Sequence, residues 1–229
     1  MENKFTKRYY ENYAMISLER CYDKSWNCFS VSGDVEPRSP DLQSDKLNIG
    51  VEVTQVLLMN QGVTNKIAGT YFGKQCEPEF IKNEVSRHFP KFEEYGGQLD
   101  VMNGTNAISH SARGFTTKEH LDKLTECILN KIINKLNNGK CRIFTSNHLY
   151  LFAHFSLIDE DYISQVMKAI DDKSSNVSIK YDMYFINCID QLFVANRNTG
   201  VINKINIGDQ IQQLIKNEAM TLTHGLTSE

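Results

Sequence analysis

The chain has 229 residues, 41% of them hydrophobic, which is enough for one substantial core and forces no split into two domains. Its 25 basic and 28 acidic residues give a formal charge of -3, which excludes a global positive field drawing the protein onto nucleic acid, so any phosphate-binding surface must be local. The six cysteines form no CxxC pair and sit within apolar or periodic segments, the pattern of buried reduced thiols rather than of a disulfide framework or a zinc site. No signal-peptide run opens the chain and no stretch approaches the roughly 18 continuous apolar residues of a membrane span, so a cytoplasmic protein without a membrane partner is expected.

In chain order, Tyr10, Ala14, Met15, Leu18, Cys21 and Tyr22 share one arc and predict a first helix over 7–22, with Glu11 inside that arc. A strand is predicted over 27–32, where Phe29 and Val31 alternate with polar neighbours, and a turn over 33–38. Two extended segments follow, 39–43 and 48–56, at hairpin spacing. Residues 57–116 show little periodicity outside a helix at 78–89 and read as a loop-rich insertion in a single domain spanning 1–229. An amphipathic helix over 117–136 carries Leu121, Leu124, Ile128, Leu129, Ile132 and Leu136, opened by Thr116 and Thr117 as capping residues. Strands at 142–145 and 148–155, a helix at 159–171, strands at 182–187, 191–195 and 201–205, and a short helix from Asp209 complete the reading. This order specifies an α/β fold with a mixed central sheet flanked by helices.

The informative segment is SPDLQSDKLNIGVEVTQ, residues 39–55. Ile49, Val51 and Val53 point to one face of the second strand, while Glu52 and Thr54 point to the other. A lone carboxylate costs several kcal/mol to bury unless it is paired or holds a cation. Hairpin pairing in register brings Asp41 to within roughly 5–6 Å of Glu52. Two such acids, with the Val53 backbone carbonyl as a third ligand, make an oxygen-rich site for a hard divalent ion, naturally magnesium. Such an ion polarises a phosphodiester oxygen and lowers the pKa of a bound water. The plain alternative is a hairpin whose polar edge faces solvent.

Pro40-Asp41, a turn, and Gly50-Val51-Glu52-Val53-Thr54 resemble the motif of the PD-(D/E)xK nuclease superfamily, in which an Asp and a Glu on adjacent strands hold magnesium. The order helix, three strands, helix, strand resembles that superfamily's core as well. The resemblance implies a restriction-endonuclease-like sheet and a nuclease using Mg2+, with Mn2+ as a substitute. It further implies DNA as substrate, a homodimer for two-strand cutting, and a place in defence or a mobile element. One departure stands out: the family's Lys should lie two residues after the Glu, where this chain has Thr54. In the superfamily that lysine can come from the next helix, which points first to Lys135 and then to Lys131, set within or beside the apolar arc of 117–136. Their role would be to orient the attacking water and offset charge on the phosphate. Glu11 resembles the helical acid found near the metal in that family.

Thr54 and the acidic balance also suit a catalytically inactive member of the fold acting as a nucleic-acid-binding or regulatory partner, and RNA is an alternative substrate. The histidines supply no ligand set, since His148 and His154 lie about 20 Å apart along a strand. Lys7 and Arg8 beside Tyr9 and Tyr10 read either as phosphate contacts or as a solvated helix end, and the stretch around Arg113 as a loop facing nucleic acid or as disorder.

Overall fold

The computed structural model describes residues 4–31, 39–56, 77–88, 90, 97–101, 108–112, 116–139, 141–153, 159–188 and 190–225. The predicted turn at 33–38, Arg113, His154 and Phe155 lie outside these residues. The chain forms two compact units, Met1–Val56 with Leu124–Glu229, and Leu57–Lys123.

In the second unit, helix α2 (Pro78–His88) buries Ile81 and Val85. Strand β4 (Gly97–Val101) pairs antiparallel with β5 (Ile108–Ala112). A stretch expected to be loop-rich therefore contains a hairpin.

The first unit is built on a seven-stranded mixed sheet in the order β1-β2-β3-β6-β7-β8-β9. Its strands are β1 (Ser30–Val31), β2 (Leu42–Ser44), β3 (Ile49–Val56), β6 (Ser146–Ala153), β7 (Met183–Cys188), β8 (Gln191–Asn196) and β9 (Ile202–Asn206). Strands β3, β6 and β7 run parallel, and the outer pairings are antiparallel. Parallel neighbours require crossover connections. Helix α3 (Thr117–Lys131) lies in the connection before β6, and α4 (Glu160–Lys173) in the one before β7. Strand β6 is buried along nearly its whole length, as expected of a strand covered on both faces.

Leu42, Val51, Tyr150, Phe152, Phe185, Leu192 and Val194 share one core with Tyr13, Ala14 and Ile16 of α1 (Lys4–Ser17) and with Ile215 and Ala219 of α5 (Asp209–Gly225). Arg20, in the π-turn Leu18–Tyr22 after α1, pairs with Glu218 of α5. Inside this core the Tyr150 hydroxyl donates to Ser17 Oγ at 3.0 Å and accepts from Asn187 Nδ2 at 2.8 Å, so three buried polar groups satisfy one another. No described helix is long and apolar enough to cross a membrane.

Two expected strands are corrected. Lys24–Cys28 forms a 3₁₀ turn, because the Asp23 carboxylate accepts the Ser25 N–H at 2.8 Å and a local side-chain bond replaces a strand ladder; only Ser30–Val31 is extended. Residues 142–145 form no strand either. There the Asn147 side chain accepts the Phe144 N–H at 3.1 Å and donates to the Phe144 carbonyl at 2.8 Å, occupying both groups that a ladder would use. The terminal helix, expected to be short, runs 17 residues.

Gly50 is the close approach that seats the Pro40-Asp41 corner. A Cβ there would lie 2.8 Å from Phe144 Cδ2 and 2.8 Å from Pro40 Cγ. Gly50→Ala should therefore lower stability by about 1–3 kcal/mol, read as a fall in Tm. An unchanged Tm would show that both rings yield freely.

Candidate active site

The pairing of β2 with β3 sets the geometry. Leu42 lies opposite Val51, both fully buried against α1 and α5, so the next residues along the two strands, Asp41 and Glu52, are cross-strand neighbours one step beyond. Glu52 points to the other face, level with Leu149 of β6, and is 4% exposed; Asp41 is 7% exposed. The β2 ladder stops at Leu42, and Asp41 Oδ2 accepts the Val53 N–H at 2.9 Å in place of a main-chain carbonyl.

Each buried carboxylate meets a cation. Glu52 Oε1 accepts from Lys131 Nζ at 2.8 Å and lies 3.3 Å from Lys135 Nζ. Both lysines expected from the sequence reach the acid, with Lys131 rather than Lys135 making the shorter contact. They stand four residues apart where α3 passes into a π-turn, Ile132–Leu136, a spacing that keeps both on one side. Asp41 Oδ1 lies 3.3 Å from Lys7 Nζ, which also meets Glu11 Oε1 at 3.2 Å, and Arg8 approaches Glu11 Oε2 at 3.5 Å. Glu11, 3% exposed, is thus tied to Asp41 through a shared lysine.

The electrostatics follow from burial. Desolvation, with the Asp41 charge beside it, pushes the Glu11 carboxyl up to about 7 against the opposing pull of Lys7. Burial pulls Lys7 down, but the Asp41 and Glu11 charges outweigh it and leave its pKa raised. The Glu52 charge raises Lys135. Burial and then the Glu52 charge raise the free thiol of Cys141 and the phenol of Tyr181. The Asp41 charge also acts on Lys135 and Cys141, so the two carboxylates share one neighbourhood.

Sequence reasoning read Lys7 as a phosphate contact or a solvated helix-end cation, not as a partner of Glu11, for which its i,i+4 spacing was the available signal. His148 belongs to the core instead: it stacks on Trp26 with centroids 5.7 Å apart, and burial lowers its pKa to about 4. Among the described residues, no group of three or more His, Cys, Asp or Glu side chains is arranged to hold a metal ion.

Two outcomes test this geometry. Lys131→Met leaves Glu52 with Lys135 alone and should cost about 1–3 kcal/mol in denaturant melts; no loss would show that Lys135 suffices. For Glu11, the folded-state pKa of about 7 lies above the ordinary 4.5, so the folded state holds the proton more tightly. Stability should therefore fall as pH rises from 4.5 to 7 in chelator, by about 3 kcal/mol at most, and stay level above. Glu11→Gln should abolish that slope; an identical slope in the variant would assign it to another group. The chain matches no protein-family model, no curated protein and no solved structure.

Proposed function

We propose that this chain is a magnesium-dependent nuclease with a restriction-endonuclease-like core, acting on phosphodiester bonds of DNA. The observation that carries the reading is the pairing of Asp41 with Glu52 on adjacent strands, both buried, with Lys131 and Lys135 of the following helix on Glu52. Support also comes from element order once α2, β4 and β5 of the second unit are set aside: α1, a meander of three strands, α3, then a strand parallel to the third.

The donor set suits a hard cation. Asp41 and Glu52 offer carboxylate oxygens, and because N–H and C=O of one residue leave an antiparallel strand on the same side, the Val53 carbonyl lies on the edge where its N–H meets Asp41. Magnesium accepts so few protein ligands, since it keeps several of its waters. When bound, it supplies Lewis-acid polarisation of the phosphate and an acidified water. The Lys131 ammonium would donate to the attacking water and offset charge gathering on the phosphate oxygens. In this role it takes the place of the lysine absent at Thr54. Lys7 and Arg8 supply cations beside Glu11 and Asp41. The reading carries with it a cytoplasmic protein serving defence or a mobile element, and a homodimer where both strands are cut.

A second reading, an inactive nuclease-fold protein that binds nucleic acid or a regulatory partner, is favoured by Thr54 and by the cations already on each acid. Plasmid, linear duplex and single-stranded RNA incubated with Mg2+, Mn2+ or chelator separate the two. Metal-dependent cleavage should fall at least about a hundredfold in Asp41→Asn and Glu52→Gln. Cleavage indifferent to both substitutions would remove the assignment. Absence of cleavage together with no calorimetric uptake of Mn2+ would leave the binding protein.

A further inference from the structure

The two acids of the site are occupied unequally. On Glu52 both lysines share one oxygen: Lys131 Nζ lies 2.8 Å and Lys135 Nζ 3.3 Å from Oε1. Its Oε2 has no hydrogen bond or ion pair among the described residues. On Asp41 both oxygens are in use, Oδ1 lying 3.3 Å from Lys7 Nζ and Oδ2 accepting the Val53 N–H at 2.9 Å. An ion taken up by the pair therefore meets an unpartnered oxygen on one acid and none on the other.

What yields on Asp41 follows from what each partner can fall back on. The bond to the Val53 N–H is part-buried, and losing it would leave a main-chain donor unsatisfied, which costs more than a hydrogen bond is worth on balance. Lys7 is charged, so repulsion by a divalent ion falls on it first. Its side chain is 44% exposed, which lets water replace the carboxylate. A second acid is also at hand in Glu11, whose Oε1 lies 3.2 Å from the same ammonium at the next turn of α1. Lys131 is held differently: its side chain is 21% exposed, and Glu52 is its one acid among the described residues.

We infer that Lys7 is the cation that a divalent ion displaces: in the free protein it holds Asp41 Oδ1, and on metal uptake it withdraws to Glu11. The inference rests on the nuclease reading and deepens it, since it names how the metal position is kept before loading. Uptake is then an exchange on Asp41 and an addition on Glu52, with Lys131 and Lys135 left on Oε1. Lys7 is a positioning residue in this account, and Glu11 acts through it by giving the ammonium a place to go. The cost of moving Lys7 is set against metal binding, so the free protein takes up the ion less tightly than the bare acid pair would.

The test uses the full chain without nucleic acid, so that metal uptake is read apart from cleavage. Mn2+ is titrated calorimetrically at about pH 8, where a carboxyl with a pKa of about 7 is ionised. Lys7→Met should bind Mn2+ about fivefold more tightly, the worth of one partly exposed ion pair, and Lys7→Arg should restore the wild-type affinity. Lys135 is the matched control, since it too lies 3.3 Å from a carboxylate oxygen and is 47% exposed, yet leaves an oxygen of its acid unpartnered; Lys135→Met should change the affinity less. Glu11→Gln, which removes the acid that Lys7 falls back on, should weaken uptake by a similar factor and should have no effect in the Lys7→Met background. Unchanged affinity in Lys7→Met, an equal gain in Lys135→Met, or a Glu11→Gln loss that persists without Lys7 overturns the inference and leaves the nuclease reading standing. Absence of Mn2+ uptake from the wild-type chain and Lys7→Met alike removes both. Tighter uptake in Lys7→Met with no cleavage in any metal keeps the exchange and sinks the nuclease reading.

Discussion

The charge of Glu52, buried on the middle of a sheet, is the constraint around which the first unit is organised. An uncompensated carboxylate in that position would cost several kcal/mol, and an apolar residue would fill it at no such cost. Two lysines from one helix reach the same oxygen instead. Their reach determines how α3 must lie over β3, and the π-turn at Ile132–Leu136 belongs to the same arrangement. On the nuclease reading proposed above, that charge is kept for chemistry at a cost in stability.

Asp41 is handled by a different device. Its carboxylate replaces a missing ladder carbonyl on Val53 and at the same time binds Lys7, so one side chain ends a strand and receives a helix. Pro40 in front of it rests where Gly50 has no Cβ. Glu11 then joins through Lys7, and its proton is held to about neutral pH by desolvation and by the acid beside it. Three acids and four cations, Lys7, Arg8, Lys131 and Lys135, form a set close to electrical balance. A divalent ion entering this set competes with lysines rather than filling a vacuum of charge.

What was legible in the sequence was local. Asp41 and Glu52 could be paired because hairpin spacing and the two-residue period of a strand decide the partner and the face. Lys135 and Lys131 could be named because the resemblance calls for a lysine that can come from the next helix, and helical angles set these two within or beside its apolar arc. Helix α4, with its Asp159 cap, and strands β7 to β9 follow their periodicity to within a residue or two. The failures have a common cause, a side chain competing with the backbone: Asp23 closes the turn at Lys24–Cys28, and Asn147 does the same for Phe144. The link from Lys7 to Asp41 was not legible because tertiary packing brings the two together.

The bond between Lys131 and Glu52 closes a sequence interval of 79 residues, and the whole of Leu57–Lys123 is threaded between them. The strand pair bearing both acids is short-range in sequence. Loop closure over such an interval comes later. During synthesis, then, the growing polypeptide carries exposed acids without their counter-charges until α3 has left the ribosome and docked. The assembled cluster therefore needs the chain from Lys7 to Lys135, and no polypeptide ending before that helix possesses it.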